Sequence, residues 1–371
     1  GGCIHRCFVL EGGGRRYFAK INGRAERDNF TAEAEGLAAL AAAGARVPSP
    51  LCRGEAGEEA FLVLEYLELR GGGDYPALGR MLALVHSVRG ESFGWRRDNY
   101  IGRTPQVNRL SSSWSEFWRD ARLRPQLDLG KRNGLSASLL GKGERLAETV
   151  PRLLSGHVPS ASLLHGDLWG GNAGFLAGGA PVLFDPAVYW GDRETDLAMT
   201  ELFGGFPQAF YSAYAETAPL DADYARRKPL YNLYHVLNHA NLFGGTGRAH
   251  DRPAARSGLK QFLQLTGLIH LSHDVGAADE FPLDIELGDR RPVGVFLDAL
   301  PDFRLFEHVH RERIRHAARL EDLDGIGGEA ALRELGRALH VEHDRVARHL
   351  LFDPFLCVHI GLIPEKIRLK L

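Results

Sequence analysis

Near the middle of the chain, "HGDLWGGN" (His165 to Asn172) sets a His, an Asp and an Asn at fixed offsets, and Asp185 closes the strand-like "PVLF" that follows. This order has a chemical reading. Asp167 would face a hydroxyl whose proton must leave. Asn172, five residues on, and Asp185 would offer oxygen ligands to a hard divalent cation such as Mg2+. The plain alternative is a pair of turns, because Asp and Asn beside glycines, and then Asp185-Pro186, are ordinary turn chemistry. Either stretch alone is modest evidence; together, in this order, they leave the turn reading the lesser one.

H-x-D-x-x-x-x-N, a strand and a second Asp is also the order of the catalytic parts of kinases. There the Asp meets the acceptor hydroxyl, and the Asn and second Asp hold the metal that bridges the ATP phosphates. Other parts of such a machine lie upstream. Lys20 ends the strand-like "YFAKI", comparable to the strand Lys that contacts the α- and β-phosphates. Glu33 falls on the apolar stripe of "DNFTAEAEGLAALAAA", with Phe30 and Leu37. From that segment alone, a carboxylate at the stripe's edge reaching solvent is the simpler reading. With Lys20 on the preceding strand, an inward ion-pair partner is favoured instead.

These residues need a scaffold. Residues 1–21 read as a hairpin, "CFVL", the turn "EGGG" and "RRYFAKI". The opening "GGCIHRC" precedes a strand, so Gly2 and Cys3 are better phosphate-loop candidates than Gly12 to Gly14. A helix pattern over 28–43, capped by Asp28 or Asn29, breaks at "VPSP". "AFLVLEYLEL", 60–69, reads as a buried strand running into the linker-like "RGGGDYP". Helix patterns follow at 76–88, 114–123, 136–154, 207–216 and 228–243. Beyond a weak linker at 244–258 the texture changes: ten of the sixteen histidines follow residue 248, among helix patterns at 301–319 and 328–350. The expected organisation is therefore residues 1–70 as a small lobe with its hinge, 71–250 as a larger lobe carrying the catalytic loop, and 251–371 as an unassigned extension. His340 and His343 share a helix face and are candidate metal ligands, but solvated, charge-rich helices are the weightier reading of that segment.

Composition excludes several classes. The 371 residues hold two or three domain-sized units, and a net charge of -2 carries no general signature of nucleic-acid binding. Cys3, Cys7, Cys52 and Cys357 are scattered without zinc spacing, which suits a reduced, cytoplasmic protein. No apolar run is long enough to cross a bilayer, so no membrane partner is expected.

The chain resembles the fructosamine-3-kinase (ketosamine-3-kinase) family, relatives of aminoglycoside and choline kinases. "GGCI", "YFAKIN", "FTAEAEGLAAL", "NYIGRTPQVN", "LLHGDLWGGN", "FDPAVYWGDRETDLAM", "ELFGGFP" and "LNHANLFGG" carry the resemblance, from residue 1 to about 248. It implies an α+β, two-lobed protein-kinase-like fold: a small antiparallel-sheet lobe, a mainly helical second lobe and here a mostly helical C-terminal extension. It implies ATP-dependent phosphorylation of the 3-hydroxyl of ketosamines, as small molecules or on glycated proteins, in deglycation. By match to the family's motifs, Asp167 is implied as the base, Asn172 and Asp185 as Mg2+ ligands, and Lys20 with Glu33 as the ATP-anchoring pair. Gly2 and Cys3 would lie over the phosphates, and Glu65 and Leu67 would form the hinge that meets adenine. Trp169 and His239 would line the sugar pocket, and Asp196 would brace the catalytic loop. Some family members carry a cysteine at the position of Cys3, which implies a monomer that oxidation can join into a homodimer. Family members carry a helix and a strand ahead of the phosphate loop, whereas Gly1 already falls within it, and the tail from about 250 matches no family. Two other functions stay open: a kinase of the same fold acting on an aminoglycoside, amino sugar or choline-like acceptor, and an inactive nucleotide-binding or redox-sensing module.

Overall fold

The computed structural model describes residues 4–243 and 367–369, which fall into two compact units. The first is built on a sheet. Strands β1 (Arg6–Gly12) and β2 (Arg15–Gly23) form the expected hairpin, turning on Gly13 and Gly14, both with positive φ. Strands β3 (Pro50–Ala56) and β4 (Glu59–Glu65) form a second hairpin, and β4 pairs antiparallel with β2. The sequence pattern omits β3, whose "PLCRGEA" is half-buried except at the exposed Arg53 and shows no alternation. It also carries β4 too far, since pairing stops at Glu65 rather than running to residue 69. Five of β4's seven residues are buried because the strand is flanked by β2 and β3. A short strand, β11 (Ile367–Leu369), pairs antiparallel with β1, so this part of the extension joins the sheet in the order β11-β1-β2-β4-β3. Leu10, Tyr17, Ala19, Ile21, Phe61 and Val63 form the sheet's apolar core.

Helix α1 (Arg27–Ala42) follows a 3-10 turn, Arg24–Glu26. Asp28 and Asn29 therefore lie inside the helix and do not cap it; the buried Asn29 amide instead donates back to Glu26 Oε2 at 3.1 Å. From Ala32 onward the chain packs into the second unit, where a Cβ on Gly36 would lie 3.1 Å from Pro186 Cγ.

The second unit is mainly helical. Helix α2 (Tyr75–Ser87) is capped by Asp74, which accepts from Ala77 N at 2.8 Å, and has a Pro in its first turn. Strands β5 (Asn99–Ile101) and β6 (Thr104–Gln106) make a small hairpin. The helix expected at 114–123 continues further. Helix α3 (Trp114–Phe117) passes through a π-helical turn, Trp118–Leu123, into α4 (Arg124–Arg132), whose Pro sits in the first turn and so does not break it. Helix α5 (Ala137–Leu153) starts at the cap Ser136.

The short strands β7 (Ser162–Leu164), β8 (Ala173–Phe175), β9 (Pro181–Leu183) and β10 (Tyr189–Gly191) pair as β7 with β10 and β8 with β9. Helices α6 (Glu194–Leu202), α7 (Gln208–Thr217) and α8 (Tyr224–Phe243) complete the unit. The helix patterns at 301–319 and 328–350, with His340 and His343, lie outside the described residues. Among the described residues, no helix is long and apolar enough to cross a membrane.

Helices α2 and α7 approach closely at Gly79, where an added Cβ would stand 2.3 Å from the Phe210 carbonyl oxygen. Gly141 on α5 would meet only an Arg145 side-chain atom at 3.5 Å. Gly79→Ala should therefore destabilise the protein by ~1–3 kcal/mol through overpacking. Gly141→Ala should stabilise it by about 0.5–1 kcal/mol through helix propensity. Urea unfolding of both variants checks the opposite signs.

Candidate active site

The residues that opened the sequence analysis lie on two loops of the second unit. His165 to Asn172 connect β7 to β8, and Asp185 follows β9. The loops are stitched together. Ala187 N donates to the His165 carbonyl at 2.8 Å, and Phe184 N to the Asn172 carbonyl at 3.1 Å. His165 is fully buried and bonds twice more: its Nε2 to the Phe184 carbonyl at 3.0 Å, and its Nδ1 from Asp167 N at 3.3 Å. A carbonyl only accepts and an amide only donates, so both contacts require the neutral Nε2–H tautomer. Burial, which holds the imidazole pKa below its usual value, favours the same form.

Asn172 turns its amide nitrogen to Asp167, donating to the carbonyl at 2.8 Å and to Oδ2 at 3.2 Å. Its Oδ1 is thereby left as the atom available to a cation. Asp185 adopts φ 56°, the one positive value at a non-glycine residue among the described residues. Asp is among the few side chains that tolerate this left-handed region, and such strain concentrates at functional sites. An amide oxygen and a carboxylate are the donor types that Mg2+ takes, so Asn172 and Asp185 fit that ion. Burial first, and then the Asp185 charge, push the Asp167 carboxyl up to about 7.

The loop is braced from below by Asp196 in the first turn of α6. Its Oδ2 accepts from His165 N at 2.7 Å and its Oδ1 from Gly166 N at 2.9 Å. His86 Nε2, on α2, lies 3.1 Å from the same Oδ2, and His86 Nδ1 lies 2.8 Å from the Tyr214 hydroxyl. That hydroxyl also accepts from Arg193 at 3.1 Å, so its own proton points to His86 Nδ1 and the His86 Nε2–H points to Asp196. Gly166 has φ 82°, and a Cβ there would be 2.0 Å from the Ala187 carbonyl oxygen, so the bend needs glycine.

Trp169 and His239 do fall in one place, linked by a residue that the sequence reading missed. The Phe203 ring lies 6.0 Å from the Trp169 ring and 5.8 Å from that of His239, which stands 4.7 Å from Phe243. Gly171 makes room, since a Cβ there would strike the Trp169 indole at 2.3 Å. Burial lowers the His239 pKa and keeps its ring neutral. Phe203 sits in "ELFGGFP", one of the stretches that carry the family resemblance, and that was its only signal.

The remaining expected residues belong to other elements. Lys20 is 5% exposed in mid-sheet on β2, opposite Cys7 and Leu62. Glu33, on α1, is 7% exposed, which removes the solvent-edge reading. Glu65 ends β4, where its N–H donates to the Ser49 carbonyl at 2.9 Å and its Oε2 accepts from Ser49 N at 3.2 Å. Leu67, just beyond, is half-buried, and Gly2 and Cys3 lie outside the described residues. A separate group, His157, Asp192 and Glu194, has metal-ligand types within reach of one another. Its oxygens are already engaged: Asp192 Oδ2 by Tyr231 and His157, and both Glu194 oxygens by Arg227.

The fructosamine kinase family model matches residues 1–264. The chain belongs to this family. A protein of Synechocystis sp. named a probable ketoamine kinase is 47% identical over 252 residues, which are 66% of this chain and 83% of that protein. The chloroplastic protein-ribulosamine 3-kinase of Oryza sativa subsp. indica is 39% identical, across 67% of this chain and 74% of its own. Among solved structures, one named as a fructosamine-3-kinase of Haemophilus somnus 129PT superposes with a TM-score of 0.64 at 30% identity, covering 71% of this chain and 88% of that one. The choline kinase LicA of Streptococcus pneumoniae shares the fold alone: its TM-score is 0.51 at 15% identity, covering 72% of this chain and 92% of that one. The α+β kinase-like fold and ATP-dependent phosphorylation of a hydroxyl follow from membership.

Burial would raise the Asp196 pKa, but hydrogen bonds from the His86 and Gly166 N–H groups hold it below the ordinary value. A depressed carboxylate adds stability above its unfolded pKa and loses it as pH falls through the folded one. Asp196→Asn should therefore cost ~1–3 kcal/mol at neutral pH, since an amide cannot accept from every donor aimed at Asp196. It should also flatten the acid limb of the stability profile. Urea unfolding at a series of pH values tests both.

Proposed function

We propose that this chain transfers the γ-phosphoryl group of ATP to the 3-hydroxyl of ketosamines, fructosamine or ribulosamine adducts carried free or on glycated proteins. The observation that carries the reading is the Asp167–Asn172–Asp185 constellation within a fructosamine kinase chain. Asp167 accepts the hydroxyl proton as the bond to phosphorus forms. Its lifted pKa suits a group that takes and returns a proton near neutrality. Asn172 and Asp185 hold Mg2+, which when bound neutralises charge on the transferring phosphates. The buried Lys20 and Glu33 anchor the α- and β-phosphates, Gly2 and Cys3 cover them with backbone N–H groups, and the backbone of Glu65 and Leu67 meets adenine. Trp169, Phe203 and His239 provide an aromatic wall with a neutral imidazole, which suits an uncharged polyol better than a polycation. The 3-phosphate of a ketosamine breaks down, so the reaction serves deglycation, in a reducing, cytoplasmic compartment consistent with Cys7 and Cys52, neither of which is in a disulfide.

Incubation with Mg-ATP and fructosyl-lysine, ribulosyl-lysine, an aminoglycoside or choline should release ADP only with the two ketosamines. Release only with the aminoglycoside or choline, or with none of the four, overturns the assignment. Asp167→Asn should lower kcat by ~10²–10⁴-fold while ATP affinity holds; undiminished turnover removes Asp167 from the role of base.

A further inference from the structure

The stretch "NYIGRTPQVN" helped to mark the family, yet no step above uses it. Its hairpin, β5–β6, carries three side-chain amides that are buried and bonded in series. Asn108 Nδ2 donates to Asn99 Oδ1 at 2.8 Å, and Gln106 Nε2 donates to the same oxygen at 2.8 Å. Asn99 Nδ2 then donates to the Val188 carbonyl at 2.8 Å, and Gln106 Nε2 to the Ala187 carbonyl at 3.0 Å. Both carbonyls lie within three residues of the strained Asp185, and Ala187 also bonds His165 in the catalytic loop.

A primary amide can be turned end for end, so something must choose the sense of this series. Arg122 does so. It is fully buried in the π-helical turn, with its guanidinium 3.9 Å from the Tyr189 ring centre and 4.6 Å from that of Phe117. Among the described residues no carboxylate pairs with it; it donates to the carbonyls of Val107 and Ala121 and, at 2.9 Å, to Asn108 Oδ1. A guanidinium only donates. Asn108 must therefore present its oxygen to Arg122 and its nitrogen to Asn99. Asn99 in turn must present its oxygen to Asn108 and its nitrogen to Val188. At the far end, the Tyr234 hydroxyl donates to Gln106 Oε1 at 2.8 Å, which leaves the Gln106 nitrogen for Ala187.

We propose that Arg122, Asn108, Asn99 and Gln106 are positioning residues for phosphoryl transfer: a buried cation orients a series of amides that clamps the Ala187–Val188 backbone and so sets the Asp185 carboxylate for its metal. The inference rests on the reading of Asp185 as a Mg2+ ligand. Reversing the sense of the series would turn the Asn99 oxygen against the Val188 carbonyl and release the clamp.

Asn108→Asp separates this role from plain scaffolding. The carboxylate keeps the shape and still accepts from Arg122, with an added charge attraction, but it cannot donate to Asn99 or to the Arg97 carbonyl. Calorimetric titration of Mg2+ into the protein bound to a non-hydrolysable ATP analogue should show metal affinity weakened by roughly tenfold or more. Turnover should fall by a similar factor while the ketosamine KM stays within about twofold. Unfolding should stay cooperative, with stability lowered by loss of the bonds to Asn99 and Arg97. Metal affinity and kcat both within about twofold of the parent overturn the proposal. Should Asn108→Asp not fold, Tyr234→Phe decides by the same titration, with a weakening of roughly threefold or more expected from loss of the bond that orients Gln106 and unchanged affinity overturning the proposal. Asp185→Ala is titrated alongside. If it leaves Mg2+ affinity unchanged, the metal-ligand reading is wrong; if it abolishes binding while Asn108→Asp does not weaken it, the positioning role alone is wrong.

Discussion

The second unit depends on one carboxylate that does no chemistry. Asp196 takes the backbone N–H groups of His165 and Gly166 on its two oxygens and a His86 N–H on one of them. A loop that must bend through a left-handed glycine and orient an Asp side chain has few backbone partners of its own. Two charge-assisted bonds from a rigid helix supply them. The orientation is transmitted outward, because Arg193 fixes the Tyr214 proton and Tyr214 fixes the His86 tautomer. Each group in that line has only one way to face, so the loop has one conformation to adopt.

Two aspartates in this region behave differently because their donors differ. Asp196 is surrounded by N–H groups and its pKa falls; Asp167 has one amide donor and a neighbouring carboxylate, and its pKa rises. Burial acts on both in the same direction and so cannot be the discriminating factor. The count of donors aimed at each oxygen separates Asp196 from Asp167.

Legibility from sequence followed the physics of each signal. The catalytic loop and Asp185 were readable because phosphoryl transfer restricts both residue type and spacing, and the long helices because their apolar stripes repeat over many turns. Strand β3 was not, since a half-buried edge strand with a Pro and a Gly has no period to detect. The α3–α4 continuation was hidden by Pro125, which breaks a helix interior but suits a first turn. Phe203 and Arg122 were invisible for a different reason. One is a lone aromatic beside glycines and the other a charged residue in a helical stretch, and only the tertiary fold sets them against Trp169 and Asn108. The burial of Glu33 was not legible from its own helix, which favoured the solvent edge.

The positive φ at Asp185 narrows the residue's chemical alternatives. A glutamate would keep the negative charge and the oxygen ligands that a cation wants, and on the basis of charge it is the nearest exchange. It lacks the short polar side chain that lets Asp and Asn settle into left-handed backbone. On the proposed reading of Asp185 as a Mg2+ ligand, the position is constrained twice, once by metal chemistry and once by the main chain, and only aspartate satisfies both in full. Asparagine meets the conformational demand with a neutral ligand, and glycine meets it with none. Charge-conserving exchange is disfavoured by the backbone at this position.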